Sequence, residues 1–356
     1  MSDLKIESVK KYYPKSAGII MTFACNAKCA ECCFECSPQN PVFLKKEDIQ
    51  NIIDRIAEIP TINFIVWTGG EVFFYYNLLK FGISYAFEKG IKSRVVSNGY
   101  WASSQEKAKK KLVPLVENGL VELNISTGDN HQEYISFERV MNAILAGIDL
   151  GVFSVVTVEK TANSKFKLED VYKSNQYLKI IQLKKQSLFK AMSTVWVSFH
   201  EDQKYTYDSS KLNLPEIVNG CDNLFSMVVA DPHKQALSCC GISVEYIDEF
   251  QLGEITSEKN SLKKLYDLQK YDFMKQWVYV DGPIKIMEKV KKWNPAIKEP
   301  QFFHYCQICA YIFNDNLIKE TIFENYHEIL EDVQNRFINK IYMKTLLRKS
   351  ISKEVN

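Results

Sequence analysis

The sequence predicts an α/β fold built on a parallel sheet. Strand-like apolar runs alternate with helix-period segments six times between about residues 14 and 205, and polar or glycine-rich residues close several of the runs. Gly18 to Phe23 reads as the first strand and leads straight into a cysteine-rich loop. Residues 44–59 set Ile49, Ile52, Ile53 and Ile56 at helical spacing and stop at Pro60. Residues 62–68 form an apolar, β-branched second strand, followed by a helix over about 78–89 that Gly90 ends. A third strand at 93–97 precedes a helix over 104–118, with Gly119 beyond it. A fourth strand at 121–126 is followed by a helix at about 137–150, closed by Gly151. The fifth strand is 153–158, and a sixth is expected near 194–198. Units of this kind in series require parallel strands with right-handed crossovers. Such sheets place their sites at the carboxyl ends of the strands.

A chain of 356 residues suits one large α/β domain with an extension. Apolar residues at 46% and charged residues at 25% are ordinary for a globular protein. The net charge is +2 with lysines scattered among acids, so no nucleic-acid partner is expected. Lys344, Arg348, Lys349 and Lys353 read as the solvated face of a terminal helix. The opening residues Met1 to Lys5 have no apolar signal core, and no uncharged stretch is long enough to span a bilayer. A cytoplasmic protein without a membrane partner is therefore expected. In that reducing compartment ten cysteines point to metal binding rather than disulfides. Five lie at 25–36 and five at 221–309, which predicts two separate metal sites.

Cys25, Cys29 and Cys32 put three thiolates on one tight loop. Three thiolates suit three corners of a 4Fe–4S cube and leave one iron open to a reactant. The spacing alone also allows zinc, although structural zinc sites favour CxxC pairs. Two further segments stand at strand ends: Thr68-Gly69-Gly70-Glu71 and Ser97-Asn98-Gly99. Taken alone, Gly69-Gly70 reads as an ordinary strand-to-helix turn. Together the three segments resemble the radical S-adenosyl-L-methionine (SAM) superfamily. That resemblance implies a partial (β/α)6 TIM-like barrel across roughly residues 14–205. It implies a cluster on Cys25, Cys29 and Cys32 whose open iron chelates SAM, and an electron that cleaves SAM to methionine and a 5′-deoxyadenosyl radical. It also implies cofactor contacts from Gly69, Gly70, Glu71, Ser97, Asn98 and Ser126, with flavodoxin or ferredoxin as electron donor. By the same analogy Asp129, Asn130 and His131 could contact the ribose or the substrate. A ligand-free turn rich in Asn, Asp and Gly accounts equally well for Asp129 and His131. The other four histidines have no partner at ligand spacing. With only about 15 residues before the first strand, no N-terminal winged-helix leader-binding domain is expected.

The second cysteine group follows a different pattern. Cys221 precedes an apolar strand at 224–230, then the turn Asp231-Pro232-His233-Lys234, then Ala236 to Ser238 returning to Cys239-Cys240-Gly241. Such a hairpin brings Cys221 and Cys239 to its open end, and Cys306 and Cys309 supply a CxxC pair. These add up to four ligands for a closed cluster, or for a four-thiolate zinc. Adjacent residues on a strand face opposite ways, so Cys239 is read as the ligand and Cys240 as a free thiol. Alternatively Cys240 is a small buried hydrophobe. The segment 262–292 looks helical and could cover the site, and its Trp277 and Tyr279 read as core.

The second group resembles a twitch or SPASM-like auxiliary-cluster extension. The whole pattern resembles the radical SAM epipeptide epimerases, which convert L-residues of a ribosomally made precursor peptide to D. The likeness runs through Cys25 to Cys32-Cys33-Phe34, Ser37-Pro38, Thr68 to Phe73, Ser97 to Trp101, Cys221, Cys239-Cys240, and Cys306 to Cys309 with Phe313-Asn314. It implies two 4Fe–4S clusters, with Cys240 returning hydrogen to Cα on the face opposite the abstraction. Three parts are expected: the barrel at 14–205, an auxiliary-cluster domain at 206–320 and a helical tail at 321–356. Glu31 stands where many radical SAM enzymes have an aromatic residue, and Phe34 could take that place. Cys36 has no assignable role, and Cys33 reads as structural. Competing readings are a peptide cross-linker forming thioether or C–C bonds, a radical SAM enzyme for a small molecule, and a zinc-stapled binding protein without catalysis.

Overall fold

The computed structural model describes residues 2–198, 220–241 and 244–354. After α1 (Ser2–Lys10) the chain repeats one unit. β1 (Ser16–Thr22), β2 (Phe64–Gly69), β3 (Lys92–Ser97), β4 (Leu120–Thr127), β5 (Phe153–Glu159) and β6 (Phe189–Thr194) pair in parallel, each with the next. Four crossover helices follow the first four strands: α2 (Lys46–Ala57), α3 (Tyr76–Glu88), α4 (Gln105–Val116) and, after the single turn α5 (Asp129–Gln132), α6 (Phe137–Asp149). The short α7 (Leu168–Lys173) and α8 (Asn175–Gln182) join β5 to β6. This is the parallel α/β architecture that the periodicity predicts, with six parallel strands and helices in the crossovers from β1 to β6. The sixth strand lies earlier than expected. Its register runs from Ser154↔Phe189 to Glu159↔Thr194, and β5 ends there, so residues beyond Thr194 have no partner on β5.

Side-chain packing follows the periodicity. Ile49, Ile52, Ile53 and Ile56 all face the sheet from α2 and are buried, each contributing roughly 1.5–3 kcal/mol. Gly82 of α3 lies against the buried indole of Trp67, where a Cβ would come within 2.4 Å of the ring.

The later part of the chain returns to β1 on its other side. β7 (Met227–Ala230) pairs in parallel with β1, and β8 (Gln235–Leu237) and β9 (Gln251–Glu254) continue antiparallel. The described strands form one nine-stranded sheet in the order β6-β5-β4-β3-β2-β1-β7-β8-β9. The turn of the expected hairpin is closed by Asp231, whose Oδ1 accepts the N–H groups of His233 and Gln235. The expected boundary between residues 205 and 206 lies outside the described residues.

The segment expected to be helical at 262–292 is two helices, α9 (Ser261–Gln269) and α10 (Phe273–Trp293). Asp272 caps α10 by accepting the N–H of Lys275 at 3.0 Å. Trp277 and Tyr279 are buried in the core. α10 kinks at Gly282 (φ +76°), just before Pro283, which has no N–H to give the Tyr279 carbonyl. That carbonyl accepts from Lys340 Nζ at 2.8 Å, and the Val278 carbonyl accepts the N–H of Cys221 at 3.0 Å. α11 (Tyr305–Asn314), α12 (Asn316–Asn325) and α13 (Leu330–Glu354) complete the chain, with α13 packed on α1 and α10. Among the described residues no helix is long and apolar enough to cross a membrane.

Candidate active site

The first cysteine loop hangs from an extension of β1 that is held on both sides. On one side Cys25 N–H bonds the Ser37 carbonyl (3.2 Å) and the Thr22 hydroxyl bonds the Val42 carbonyl (2.7 Å). On the other, Gly70 N–H bonds Thr22 O (2.7 Å) and Glu71 N–H bonds Ala24 O (2.8 Å). Gly69 (φ +132°) and Gly70 run so close to this extension that a Cβ on either would lie 2.1–2.3 Å from a backbone oxygen.

Within the loop the sulfurs attract N–H groups. Ala27 N–H points at Cys25 Sγ (3.4 Å), Cys36 N–H at Cys32 Sγ (3.3 Å), and Asn98 Nδ2 at Cys25 Sγ (3.7 Å) and Asn26 Oδ1 (2.9 Å). The backbone of Cys36 therefore helps close the loop, which gives this residue a structural part that its sequence position did not suggest.

A cavity of about 340 Å³ opens beneath the loop. Its wall includes Cys25, Cys29 and Cys32 together with Gly69, Gly70, Ser97, Asn98 and Ser126 from three successive strand ends. Glu71, expected beside them, lies behind the wall instead. Its buried carboxylate accepts from the hydroxyl of Ser97 (2.9 Å) and from the N–H groups of Asn98 (2.8 Å) and Phe73 (3.0 Å). Burial pushes the Glu71 carboxyl up to about 7 against the pull of those donors. Glu31 is buried at the cavity wall, and burial pushes its carboxyl up to about 8. Phe34 and Cys33 also reach the wall.

Some lining residues were not foreseen. Arg94 and Val96 share the inward face of β3 with Asn98 at the two-residue strand period, and Arg94 is paired with Glu122 at 2.8 Å. Trp196, also unforeseen, comes from beyond β6, whereas His131, which the resemblance set near the ribose or the substrate, comes from beyond β4. Asp129 does not join them. Its carboxylate caps the loop after β5 by accepting the N–H groups of Lys165 (2.6 Å) and Phe166 (2.9 Å).

The second cysteine group divides between two spaces. Cys221, Cys239, Cys306 and Cys309 line a small enclosed cavity with Gly241 and Tyr305, whereas Cys240 lines the main one. Cys239 and Cys240 follow β8 rather than lying within it, yet still diverge. Gly241 sits between two sulfurs: a Cβ there would lie 3.3 Å from Cys306 Sγ and 3.4 Å from Cys239 Sγ, whose sulfur also accepts the Gly241 N–H. Cys221 is docked into the kink of α10, with Gly220 (φ +88°) pressed on the Tyr279 and Val280 carbonyls. The four sulfurs border a space rather than meet at a point. Among the described residues no three His, Cys, Asp or Glu side chains converge as a single ion would need.

None of the ten cysteines is in a disulfide, and Cys240 is exposed, the surface it exposes being cavity wall. Enclosure there raises its thiol above the usual range. Tyr246 ties the two groups together: its hydroxyl donates to Glu35 of the first loop (3.0 Å), and its carbonyl accepts from Asn314 of α11 (2.8 Å).

The stretch carrying the first loop and the first five strands, residues 19–159, matches the model of the Radical SAM superfamily. It is a radical SAM domain. The donor set of the first loop suits the cluster that such a domain implies: three sulfurs line the cavity, and those of Cys25 and Cys32 accept N–H groups. Over 319 residues, 85% of this chain and 93% of the relative, the chain is 27% identical to YydG of Bacillus subtilis (strain 168), named as a candidate peptide biosynthesis protein. Two solved structures are also similar. Streptococcus suis SuiB bound to precursor peptide SuiA matches at 15% identity and a TM-score of 0.46, over 85% of this chain and 79% of SuiB. BtrN in complex with AdoMet and 2-DOIA matches at 12% identity and a TM-score of 0.45, over 76% of this chain and 89% of BtrN.

Proposed function

We propose that this protein is a radical SAM enzyme that modifies a ribosomally made peptide by converting L-residues to D. The observation that carries the reading is the separation of five cysteines into a set of four around one space and a fifth, Cys240, on the wall of the cavity beneath the first loop. The likeness to YydG supports a peptide as substrate.

On this reading Cys25, Cys29 and Cys32 hold one 4Fe–4S cluster and Cys221, Cys239, Cys306 and Cys309 a second. With such a cluster and SAM bound there, the chemistry supplied would be a 5′-deoxyadenosyl radical able to remove a Cα hydrogen. Gly69 and Gly70 line the wall with backbone held against the β1 extension, while Ser97, Asn98 and Ser126 offer polar groups to a ligand. Glu71 holds Ser97 and Asn98 in place from behind.

Cys240 performs the second half of the reaction. Its S–H bond breaks as a new Cα–H bond forms on the opposite face, so the residue inverts. The sulfur is left short of one electron and one proton, which an electron donor of the flavodoxin or ferredoxin type and solvent must restore. Because a thiol exchanges its hydrogen with water, the hydrogen at the new D-centre originates in solvent.

The test is Cys240→Ala, assayed anaerobically in deuterated water with a panel of synthetic all-L peptides. The variant is expected to cleave SAM and to form no deuterated D-residue. Full deuterated epimer from the variant would overturn the role of Cys240, and a cross-linked peptide from the wild type would overturn epimerisation.

A further inference from the structure

One polar side chain on the cavity wall has no part in that reaction. His131 borders the cavity from α5, and its Nδ1 lies 2.7 Å from Oε2 of Glu159, the last residue of β5. Glu159 is buried, and its other oxygen accepts the N–H of Asn130. Gly128 (φ +136°) passes so close over this carboxylate that a Cβ would lie 2.1 Å from Glu159 Cγ. On another side the ring of Trp196 packs 4.9 Å from the imidazole and borders the same cavity. The ends of β4 and β5 and the segment after β6 thus grip one imidazole.

The grip sets the ring's chemistry. A carboxylate only accepts hydrogen bonds, so the nitrogen facing it carries the hydrogen, and the neutral ring then has its lone pair on Nε2. Among the described residues Nε2 makes no hydrogen bond. With Nδ1 turned to Glu159, the neutral ring has Nε2 as its acceptor, on a wall that also carries Glu31, Ser97, Asn98 and Ser126.

We propose that His131 is a substrate-binding residue, and that Nε2 accepts a hydrogen bond from the backbone N–H of the peptide residue being modified. The inference rests on the reading of the protein as a peptide-modifying enzyme and goes beyond it. A peptide N–H brought into this cavity without an acceptor would stay unpaired at a cost. Once its hydrogen is removed, Cα is planar, and only bonds to its flanking amide groups keep one face turned towards Cys240. A hydroxyl on the SAM ribose has the same donor chemistry, so the experiment must separate the two.

His131→Phe keeps a ring beside Trp196 and removes both nitrogens. Glu159→Gln keeps the shape, but its amide can donate to Nδ1, which moves the hydrogen to Nε2 and turns the acceptor into a donor. In anaerobically reconstituted protein the dissociation constant for SAM is measured first, then that for the same synthetic peptides, with SAM present. Both variants should bind SAM within about twofold of wild type. His131→Phe should bind the peptide about tenfold more weakly, as loss of one buried hydrogen bond implies. It should also release more 5′-deoxyadenosine per D-residue formed. Glu159→Gln should move in the same direction, and it decides the matter if His131→Phe fails to take up iron. Unchanged peptide affinity in a folded variant would overturn the proposal. So would a loss confined to SAM affinity, which would assign the acceptor to the ribose. Wild-type protein that binds SAM but no peptide would overturn the peptide reading along with this one.

Discussion

A methyl group added at residue 70 would meet the Ala24 carbonyl oxygen at 2.1 Å and its carbon at 2.7 Å. Neither backbone can retreat, because the N–H groups of Gly70 and Glu71 are bonded to Thr22 and Ala24. Gly70→Ala is therefore expected to lower stability by about 2–3 kcal/mol and to lose iron from the first loop, measured as the thermal midpoint and as iron per chain. Glu71→Ala removes the acceptor for two buried N–H groups and costs roughly 1–3 kcal/mol per orphaned donor. Since Asn98 reaches Cys25 Sγ, the same change should weaken SAM binding. A variant with wild-type stability and SAM affinity would refute the bracing role. The glycine pair and the cysteines are visible in the sequence because their chemistry is local. The place of Glu71 behind the wall is not, since it depends on which way one side chain turns after β2. The pairing of His131 with Glu159 was hidden for a similar reason: the partners come from different strand ends and meet only once β4 and β5 are in register.

Among the elements, α10 shows how a helix defect is put to use. Gly282 leaves helical geometry, Pro283 offers no N–H, and the carbonyls of Val278 and Tyr279 go to Cys221 and Lys340. Replacing Gly282 by Ala would force a Cβ into the left-handed region, at about 1–2 kcal/mol. It should also disturb the seat of Cys221, so iron at the second cysteine group is expected to fall while the first group keeps its own. Retention of both on a destabilised fold would separate the kink from the site. A Gly-Pro pair in a helical pattern can be read as a break. That Cys221 docks into that break cannot be read, because the two segments are distant in sequence and joined only by the fold. Strands and helices of the first half were legible because each follows its own periodicity. The sixth strand was misplaced because its limits are set by where β5 stops offering partners.

For the molecule as a whole, the two cysteine groups are separate in sequence and line separate cavities, yet belong to one sheet and are linked through Tyr246. Anaerobic reconstitution is expected to give about eight irons per chain, falling to about four when Cys25, Cys29 and Cys32 are all changed to Ala. About four falling to none would remove the second cluster from the proposal, and zinc at both groups would remove both.

β1 is flanked by β2 on one side and by β7 on the other. During synthesis the first loop and β2 leave the ribosome well before Met227, so β1 emerges with one row of hydrogen-bonding groups unclaimed. An unclaimed strand edge of this kind invites pairing with another chain. The nascent protein thus passes through a period in which its metal-binding loop is complete but its sheet is not. A chain stopped at Ser198 is expected to aggregate where the full chain does not, which sedimentation of the two side by side would show.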